Sequence, residues 1–347
     1  LKLWLFAGLA GLSICIPTHN RPESLRNCLS SIQQNNITSY LDYEICVSDN
    51  SDNNLSGLIV SEFKNSLPLL YKKRCSKTTR ANNYLYAVEM ARGNFVWMIG
   101  DDDLLMTNAI NEVINLINQF AKNIDFFYVN SYLLDTNYIK SYKQPFDMKN
   151  LPDKMNIFSK KNISFETDFL NLLDPEISFD YLGGMYLSIF RREYWNKHKN
   201  CLNKIAKNDC HTFSHYDNTF PHVKIFANAF SKSKAYFYHK PLSIALSGQR
   251  EWSDLYPLVR SIRLLESITV FRENGLTLYK YMRYKNFSLK YFAQDIFKMI
   301  LNKKNSGFAY VSFFKHIFPN LIYPNIYLSF FFGIARKLRI QIKFNNE

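Results

Sequence analysis

Three short apolar runs in this sequence each stop abruptly at polar residues, and this pattern limits the possible folds most strongly. The runs cover residues 12–16, 43–47 and 95–99, and the polar residues that follow lie at 17–21, 48–52 and 100–103. Between the first two runs, apolar side chains recur with the three- and four-residue spacing of an amphipathic helix, at Leu25, Cys28, Leu29 and Ile32. Strands that alternate with helices predict an α/β fold around a mainly parallel sheet, with ligands at the carboxyl ends of the strands. We therefore expect the three polar segments to converge on one site.

The rest of the chain continues the alternation and then changes character. We predict further helices at 55–63, 82–91 and 108–121, strands at 69–72 and 126–129, and a turn followed by a strand within 183–190. Residues 135–178 are polar and predict a long excursion over the site. From about residue 253 onward the pattern is mostly helical.

Three consecutive carboxylates, Asp101, Asp102 and Asp103, follow the third apolar run. Adjacent carboxylates repel one another unless a cation or strong hydrogen bonds hold them, and oxygen ligands of this kind suit Mg²⁺ or Mn²⁺. A metal held there would neutralise the charge of a departing diphosphate. The alternative is that the aspartates begin a helix, where the helix dipole favours acidic residues.

Three motifs in order resemble the family 2 glycosyltransferases of the GT-A fold. Residues 13–21 match the opening strand and its Pro-Thr-x-Asn-Arg turn, residues 44–52 look like the second strand and nucleotide loop, and residues 91–103 resemble the segment before the metal-binding carboxylates. The wording Gly-Asp-Asp-Asp after a Trp-containing strand is particularly similar to the abequosyltransferase-like subgroup. The resemblance implies a transferase that builds bacterial surface polysaccharides.

The resemblance also implies roles for individual residues. Those that would contact the base and ribose of a nucleotide are Pro17, Thr18, Asn20 and Arg21. Asp49 would bind the pyrimidine edge, with Ser51 supporting its loop. A carboxylate suits the N3–H of uracil, so uridine is favoured and cytidine is not excluded; alternatively, Asp49 is an Asx-turn residue.

One departure from the family pattern concerns the metal ligands. The family's usual first aspartate falls on Gly100, which makes Asp102 the main metal ligand and directs Asp101 to the ribose. Asp103 is a further candidate ligand. A later histidine, His222, could complete the metal site, and Arg250 could clamp the diphosphate of the donor.

An inverting transfer requires a general base near the acceptor hydroxyl. Asp217 is the preferred candidate, although the Glu-Asp pair common in the family is missing, and Asp180 beside Gly183 and Gly184 is the alternative. Either aspartate could equally be a solvated loop residue.

Net charge divides the chain unevenly. Residues 255–347 contain 15 Lys and Arg against 4 Asp and Glu, which gives +11 of the total +14. Aromatic and apolar residues accompany these cations, so we expect contact with a membrane surface; a helical subdomain packed on the core is the alternative. The predicted organisation is an apolar segment, edge element or expression remnant at 1–11, a GT-A domain at 12–254 and a helical, basic extension at 255–347.

These observations favour a metal-dependent, inverting enzyme that moves a sugar from a UDP- or CDP-sugar to a glycan acceptor, such as one linked to polyprenyl diphosphate. We expect it on the cytoplasmic, inner face of the membrane, where its six cysteines would stay reduced. The sequence contains neither GxGxxG nor GxxxxGK, which argues against a dehydrogenase or a P-loop kinase. Carboxylates repel phosphate, so a nucleic-acid partner is not expected. An inactive GT-A scaffold that binds membranes is the remaining alternative.

Overall fold

A ten-stranded mixed sheet lies at the centre of the computed structural model, which describes residues 11–35, 43–248 and 252–337. The strands in chain order are β1 Leu12–Thr18, β2 Tyr43–Asp49, β3 Leu69–Lys73, β4 Phe95–Met98, β5 Asp103–Leu105, β6 Phe126–Asp135, β7 Asn156–Ile157, β8 Phe165–Asp168, β9 Ser188–Arg191 and β10 Lys234–Ser247. Their order across the sheet is β3-β2-β1-β4-β9-β6-β10-β5, while β7 pairs with β6 and β8 with β10.

Helices cover both faces of this sheet and continue beyond it. They are α1 Pro22–Gln33, α2 Leu55–Phe63, α3 Arg80–Glu89, α4 Ala109–Phe120, α5 Thr136–Lys140, α6 Arg192–His198, α7 Lys204–Asn208, α8 Tyr216–Thr219, α9 Pro221–Phe230, α10 Tyr256–Leu258, α11 Leu264–Glu273, α12 Leu278–Ser288, α13 Phe292–Leu301 and α14 Pro324–Lys337. The predicted α/β fold with a mostly parallel sheet is confirmed.

Strand β1 illustrates why the first apolar run had to be buried. All seven of its residues are inaccessible to solvent, because β1 lies between β2 and β4 and both faces carry helices. Successive side chains of a strand point to opposite faces. Accordingly, Ile14 and Ile16 pack in one apolar layer while Cys15 packs in the other. The predicted helix period of α1 is confirmed as well, since Leu25, Cys28, Leu29 and Ile32 are all buried.

The sheet is less uniformly parallel than its first half suggests. Strands β1 to β4 run parallel to one another, but β9 lies antiparallel between β4 and β6. The long strand β10 pairs in parallel with β6 and antiparallel with both β5 and β8. The excursion at 135–178 contributes β7 and β8, so part of this polar segment extends the sheet instead of only crossing the site.

The first part of the C-terminal extension packs tightly on the sheet domain. Buried side chains of α11, including Ile268 and Phe271, belong to the same apolar core as Phe190 and Phe226. The guanidinium of Arg263 donates to the carbonyl oxygen of Phe213 at 3.0 Å. Across the described part of the chain, no helix combines the length and apolar character needed to traverse a bilayer.

Candidate functional site

The carboxyl ends of β2, β1 and β4 lie side by side and bring the three polar segments together, as expected for parallel strands. The closest link joins the first segment to the third: the Thr18 hydroxyl donates to Oδ2 of Asp101 at 2.7 Å. The backbone of Asn50 in the second segment donates to the carbonyl of Thr18 at 3.2 Å. Residues far apart in sequence therefore form one connected site.

The three aspartates after β4 have different environments. Asp101 and Asp103 are buried, whereas the side chain of Asp102 is 30% exposed. Oδ2 of Asp103 accepts a hydrogen bond from the Gly100 amide at 2.9 Å and so stabilises the turn. The three aspartates do not begin a helix, because Asp103 starts strand β5 and α4 begins only at Ala109. The helix N-terminus interpretation is therefore wrong for this cluster.

A single guanidinium nitrogen lies close to two of these carboxylates. Nη1 of Arg21 is 3.4 Å from Oδ1 of Asp101 and 3.4 Å from Oδ2 of Asp102. Burial and the charge of Asp102 raise the pKa of Asp101 to about 6, even though Arg21 and Thr18 act in the opposite direction. The two carboxylates thus need a positive charge beside them, and the guanidinium supplies one. Carboxylate oxygens that need a positive charge beside them are also suitable ligands for Mg²⁺ or Mn²⁺.

Gly100 stands at the position of the departure from the family pattern noted in the sequence. A Cβ atom at this position would lie 2.8 Å from Oδ1 of Asp102 and 2.8 Å from Oδ2 of Asp103. A side chain at position 100 would therefore require the Asp102 and Asp103 carboxylates to shift from their present positions. The glycine allows the two side chains to fold back over the end of β4.

Asp49, at the end of β2, is fully buried and heavily hydrogen-bonded. One oxygen accepts from the Ser51 amide at 2.7 Å, and the other accepts from the Tyr71 hydroxyl at 2.7 Å and from Nζ of Lys73 at 3.1 Å. Burial acts to raise the pKa of Asp49, but these hydrogen bonds outweigh it and the pKa is lowered. Asp49 therefore stays ionised and holds the loop. A nucleobase would have to donate to the lone pairs of Asp49 that these hydrogen bonds leave free.

The turn after β1 is joined to the loop after β2. Asn20, whose φ of 53° is in the left-handed region, donates its backbone amide to Oγ of Ser51 at 2.7 Å. Its side chain donates to Asp52 at 2.7 Å and accepts from the Asp52 amide at 3.0 Å. Pro17, the last residue but one of strand β1, lies opposite Ser48 in β2. Ser51 thus supports both loops, and Asn20 is part of that support.

Asn83, which was not among the residues predicted from the sequence, connects the ends of β1 and β2 from helix α3. Its buried side-chain amide lies 3.1 Å from the carbonyl oxygens of both Thr18 and Ser48 and donates to Oδ1 of Asn50 at 2.9 Å. Its own oxygen accepts from the Ser48 hydroxyl at 2.8 Å. A polar residue on the sheet-facing side of a helix, just after the N-cap Thr79, is the signal that could have identified it.

The two candidate bases differ in how their carboxylates are bound. Asp217 is buried, and both its oxygens accept from Nζ of Lys224 at 3.0 and 2.8 Å; the Asn203 amide also donates to it. Asp180 accepts from the Ser178 hydroxyl at 2.9 Å, and burial raises its pKa to about 6. It lies in a turn in which Tyr181 and Leu182 both have positive φ angles.

His222 lies against the same turn as Asp180. Its Nε2 is 3.0 Å from the Gly183 carbonyl oxygen, and burial lowers its pKa to about 4, so the ring is neutral. Its Nδ1 is buried and has no hydrogen-bond partner among the described residues. The hydrogen bond of His222 is to the backbone of Gly183 in this turn. Arg250 lies outside the described residues.

Comparisons with known proteins agree with this arrangement. A model of the family "Glycosyl transferase family 2" matches residues 13–181. Abequosyltransferase RfbV of Salmonella typhimurium is 34% identical over 102 residues, which span 28% of this chain and 30% of that protein. Less than a third of the relative is therefore covered by the match.

Solved structures show similarity over a longer part of the chain. S. aureus TarS residues 1–349 in complex with UDP-GlcNAc gives a TM-score of 0.52 at 14% identity and covers 96% of this chain and 94% of that one. A longer S. aureus TarS structure gives a TM-score of 0.51 at 14% identity, with 86% and 53% covered. At this identity the likeness concerns the fold.

Proposed function

We propose that this chain, whose residues 13–181 match the model of glycosyl transferase family 2, transfers a sugar from a nucleotide-sugar donor to a hydroxyl group of a glycan acceptor. One observation carries the proposal: Thr18 donates to Asp101, Arg21 donates to Asp101 and Asp102, and the Asn50 amide donates to the Thr18 carbonyl oxygen, so that the carboxylate cluster is joined to the nucleotide loop. The carboxylate cluster would hold a diphosphate and its counter-cation, and the loop of Asp49 beside it would hold the nucleobase.

The donor is a pyrimidine nucleotide-sugar, and UDP- or CDP-sugars are the favoured candidates. The turn of Asn20 and Arg21 is hydrogen-bonded both to the loop of Asp49 and Ser51 and to the carboxylate of Asp101. Pro17 and Thr18 form the last part of the strand before this turn. The UDP-GlcNAc bound by TarS, a protein with the same fold, supports this class of donor.

A divalent cation, Mg²⁺ or Mn²⁺, is the proposed cofactor. Asp102 would hold it, because its side chain is the most accessible of the three carboxylates, and Asp101 is the second ligand. Asp103 is engaged with the Gly100 amide, so we assign it to supporting the turn. When bound, the metal would neutralise charge on the leaving nucleoside diphosphate. The role of Arg21 is to hold positive charge at the same two carboxylates.

The proposed chemistry is a single displacement with inversion. The oxygen of the acceptor hydroxyl bonds to the anomeric carbon while a carboxylate of the enzyme takes the hydroxyl proton. At the same time the bond from the anomeric carbon to the diphosphate oxygen breaks, and the nucleoside diphosphate leaves. We now rank Asp180 ahead of Asp217 as this base. A pKa of about 6 suits proton transfer near neutral pH, whereas the Asp217 carboxylate is bound by Lys224 and the Asn203 amide.

The acceptor we propose is a glycan carried on a lipid such as a polyprenyl diphosphate, used at the inner face of the cytoplasmic membrane. Support comes from the +11 charge of residues 255–347, which suits an anionic membrane surface. The abequosyltransferase relative supports a role in bacterial surface polysaccharide synthesis.

The proposal can be tested with purified chain and a panel of UDP-, CDP-, GDP- and dTDP-sugars, each with and without Mn²⁺. A ligand that binds the native state raises the temperature of unfolding. We expect a metal-dependent increase with one pyrimidine nucleotide and hydrolysis or transfer of its sugar. If no nucleotide-sugar changes the unfolding temperature, the transferase proposal is wrong and an inactive scaffold is the better description.

A further inference from the structure

The last described part of the chain exposes an unusual number of large apolar side chains. Of the 24 such side chains that are solvent-exposed in the described residues, 12 lie within residues 297–331. We call this surface the aromatic face; its most exposed members are Leu301, Phe314, Phe318, Ile322, Phe330 and Phe331. Phe314 is 78% exposed and Ile322 is 70% exposed. Apolar surface of this extent usually marks an interaction site.

These side chains are not a poorly packed core, because the same helices already have a buried face. Phe292 and Met299 of α13 and Ile326 of α14 are buried in the main apolar core. Helices α13 and α14 also contact each other, and the ring of Phe313 is 5.4 Å from that of Phe314 and 6.3 Å from that of Phe318. A helix that is apolar on both its inner and outer sides requires a second apolar environment.

Charge identifies the kind of environment. Residues 297–331 include four lysines and no aspartate or glutamate. Of these lysines, Lys315 pairs with Glu266, but Lys298, Lys303 and Lys304 have no ion pair with any residue that the structure describes. In the preceding part of the extension, by contrast, Arg260 pairs with Asp295 and Arg263 with Glu266.

Unpaired lysines beside exposed phenylalanines fit an anionic lipid surface better than a second copy of the chain. A symmetric contact between two aromatic faces would bring the same lysines of both copies together with no carboxylate of this segment to pair with them. A bilayer offers both required features, since phenylalanine side chains enter the boundary between headgroups and acyl chains while lysines reach lipid phosphates.

From these observations we infer that the aromatic face docks on an anionic bilayer, with α13, residues 313–322 and α14 lying along its surface. This narrows the membrane contact proposed for residues 255–347 to residues 297–331. Helix α11, in contrast, is fixed to the sheet domain. The inference rests on the proposed function only for its location at the membrane; docking itself requires no sugar transfer.

The experiment is flotation of the full chain with vesicles of phosphatidylcholine alone and with added phosphatidylglycerol. Binding to the anionic vesicles is expected, and it should weaken with salt because lysines contribute. The double variant Phe314→Asp, Phe318→Asp should bind at least about ten-fold more weakly, because two apolar side chains no longer enter the interface. The variant Lys303→Glu, Lys304→Glu should lose the preference for anionic vesicles.

The matched control is Tyr279→Asp, which changes an equally exposed aromatic side chain of α12 outside the aromatic face. It should bind vesicles like the unchanged chain. Equal flotation of the double phenylalanine variant would overturn the inference, and so would a chain that forms dimers through Phe314 and ignores vesicles.

Failure of docking can be told apart from failure of the proposed function. The Asp102→Asn variant should lose sugar transfer and still float with anionic vesicles. The double phenylalanine variant should keep the temperature increase caused by its nucleotide-sugar in the absence of vesicles, which also shows that it is folded. Loss of that increase, together with a lower unfolding temperature of the free protein, would mean that Phe314 and Phe318 serve folding and would overturn the inference.

Discussion

The Thr18 hydroxyl donates a 2.7 Å hydrogen bond to the carboxylate of Asp101, which lies 83 positions later in the chain. Both side chains are almost inaccessible, with 2% and 5% of their surface exposed. The bond fixes the end of β1 against the turn after β4, and it also helps to keep a buried carboxylate ionised. The local charge of the site therefore depends on an uncharged residue.

Thr18→Val removes this donor with little change in shape. Losing it should raise the pKa of Asp101 above its present value of about 6, so more of the carboxyl is protonated at pH 6 to 7. The Mn²⁺-dependent increase in unfolding temperature should become smaller at pH 6 and recover at pH 8, where Asp101 is ionised again. The control is Thr269→Val on α11, and an unchanged pH profile in the Thr18 variant would contradict the prediction.

Asp102→Asn should abolish most transfer while leaving the fold intact. The side chain is 30% exposed, so its removal costs little stability, but a lost metal ligand removes several kcal/mol of charge stabilisation. We expect kcat to fall about 100-fold or more. Sugar transfer and thermal unfolding would be measured in parallel with Asp168→Asn, an exposed aspartate on β8. Full activity of the Asp102 variant would exclude the assigned ligand.

Asp180→Asn and Asp217→Asn should have opposite profiles. The Asp180 variant should lose the proton acceptor, with kcat reduced about 100-fold or more and KM for the donor unchanged. For the unchanged enzyme, kcat/KM should rise with pH through about 6, because the base must be deprotonated. The Asp217 variant should mainly lower the unfolding temperature, since it leaves Lys224 without its partner. The reverse result would identify Asp217 as the base.

Asn83→Ala should weaken donor binding and lower stability together. The buried carbonyl groups of Thr18 and Ser48 would each lose a donor, although Thr18 keeps the Asn50 amide, and each lost hydrogen bond costs about 0.5–1.5 kcal/mol. The two loops would then be free to separate, and the dissociation constant for the nucleotide should rise about ten-fold or more. Calorimetry with the nucleoside diphosphate measures this directly, with Asn82→Ala as the neighbouring control. A drop in stability with unchanged affinity would reduce Asn83 to a purely structural residue.

Glu266→Gln should change acid stability. Burial acts to raise the pKa of Glu266, but His316, Arg263 and Lys315 together lower it to about 2. A lowered folded-state pKa adds stability that is fully present above pH 4.5 and lost as the pH falls toward 2. The shift corresponds to up to about 3 kcal/mol. Urea unfolding at pH 7 and pH 3 should show a smaller pH effect for the Gln variant than for Glu273→Gln, an exposed glutamate of the same helix.

The convergence of the strand ends could be predicted because it follows from local patterns. Apolar runs at the positions of β1, β2 and β4, joined by helical periodicity at Leu25 and Leu29, leave few arrangements other than adjacent parallel strands. Order along the chain then placed Asp101 and Asp49 at the same edge. The role of Asn83 does not follow from residue spacing, and only its polar side chain on the sheet-facing side of α3 could have indicated it.

The pairing of strands that are far apart in the chain could not be predicted from the sequence either. The sequence predicts a turn and a strand within residues 183–190, and the strand forms at 188–191. No local pattern shows that this strand, β9, lies between β4 and β6 in the opposite direction. The helix interpretation of the aspartate cluster had a similar origin, because Asp103 is suited to a helix N-terminus by propensity. Pairing of β5 with β10 outweighs that propensity.

The late position of β9 has a consequence for dissecting this protein. A chain cut after residue 181, where the family match ends, would contain β4 and β6 but lack the strand that separates them in the sheet. Strands β4 and β6 would then become edge strands with unpaired backbone N–H and C=O groups, and such edge strands promote aggregation. Ribosomal synthesis meets the same constraint: the sheet cannot close until residues 188–191 have left the exit tunnel. A fragment for expression therefore has to include β9, and also β10, because β10 pairs with β6, β5 and β8.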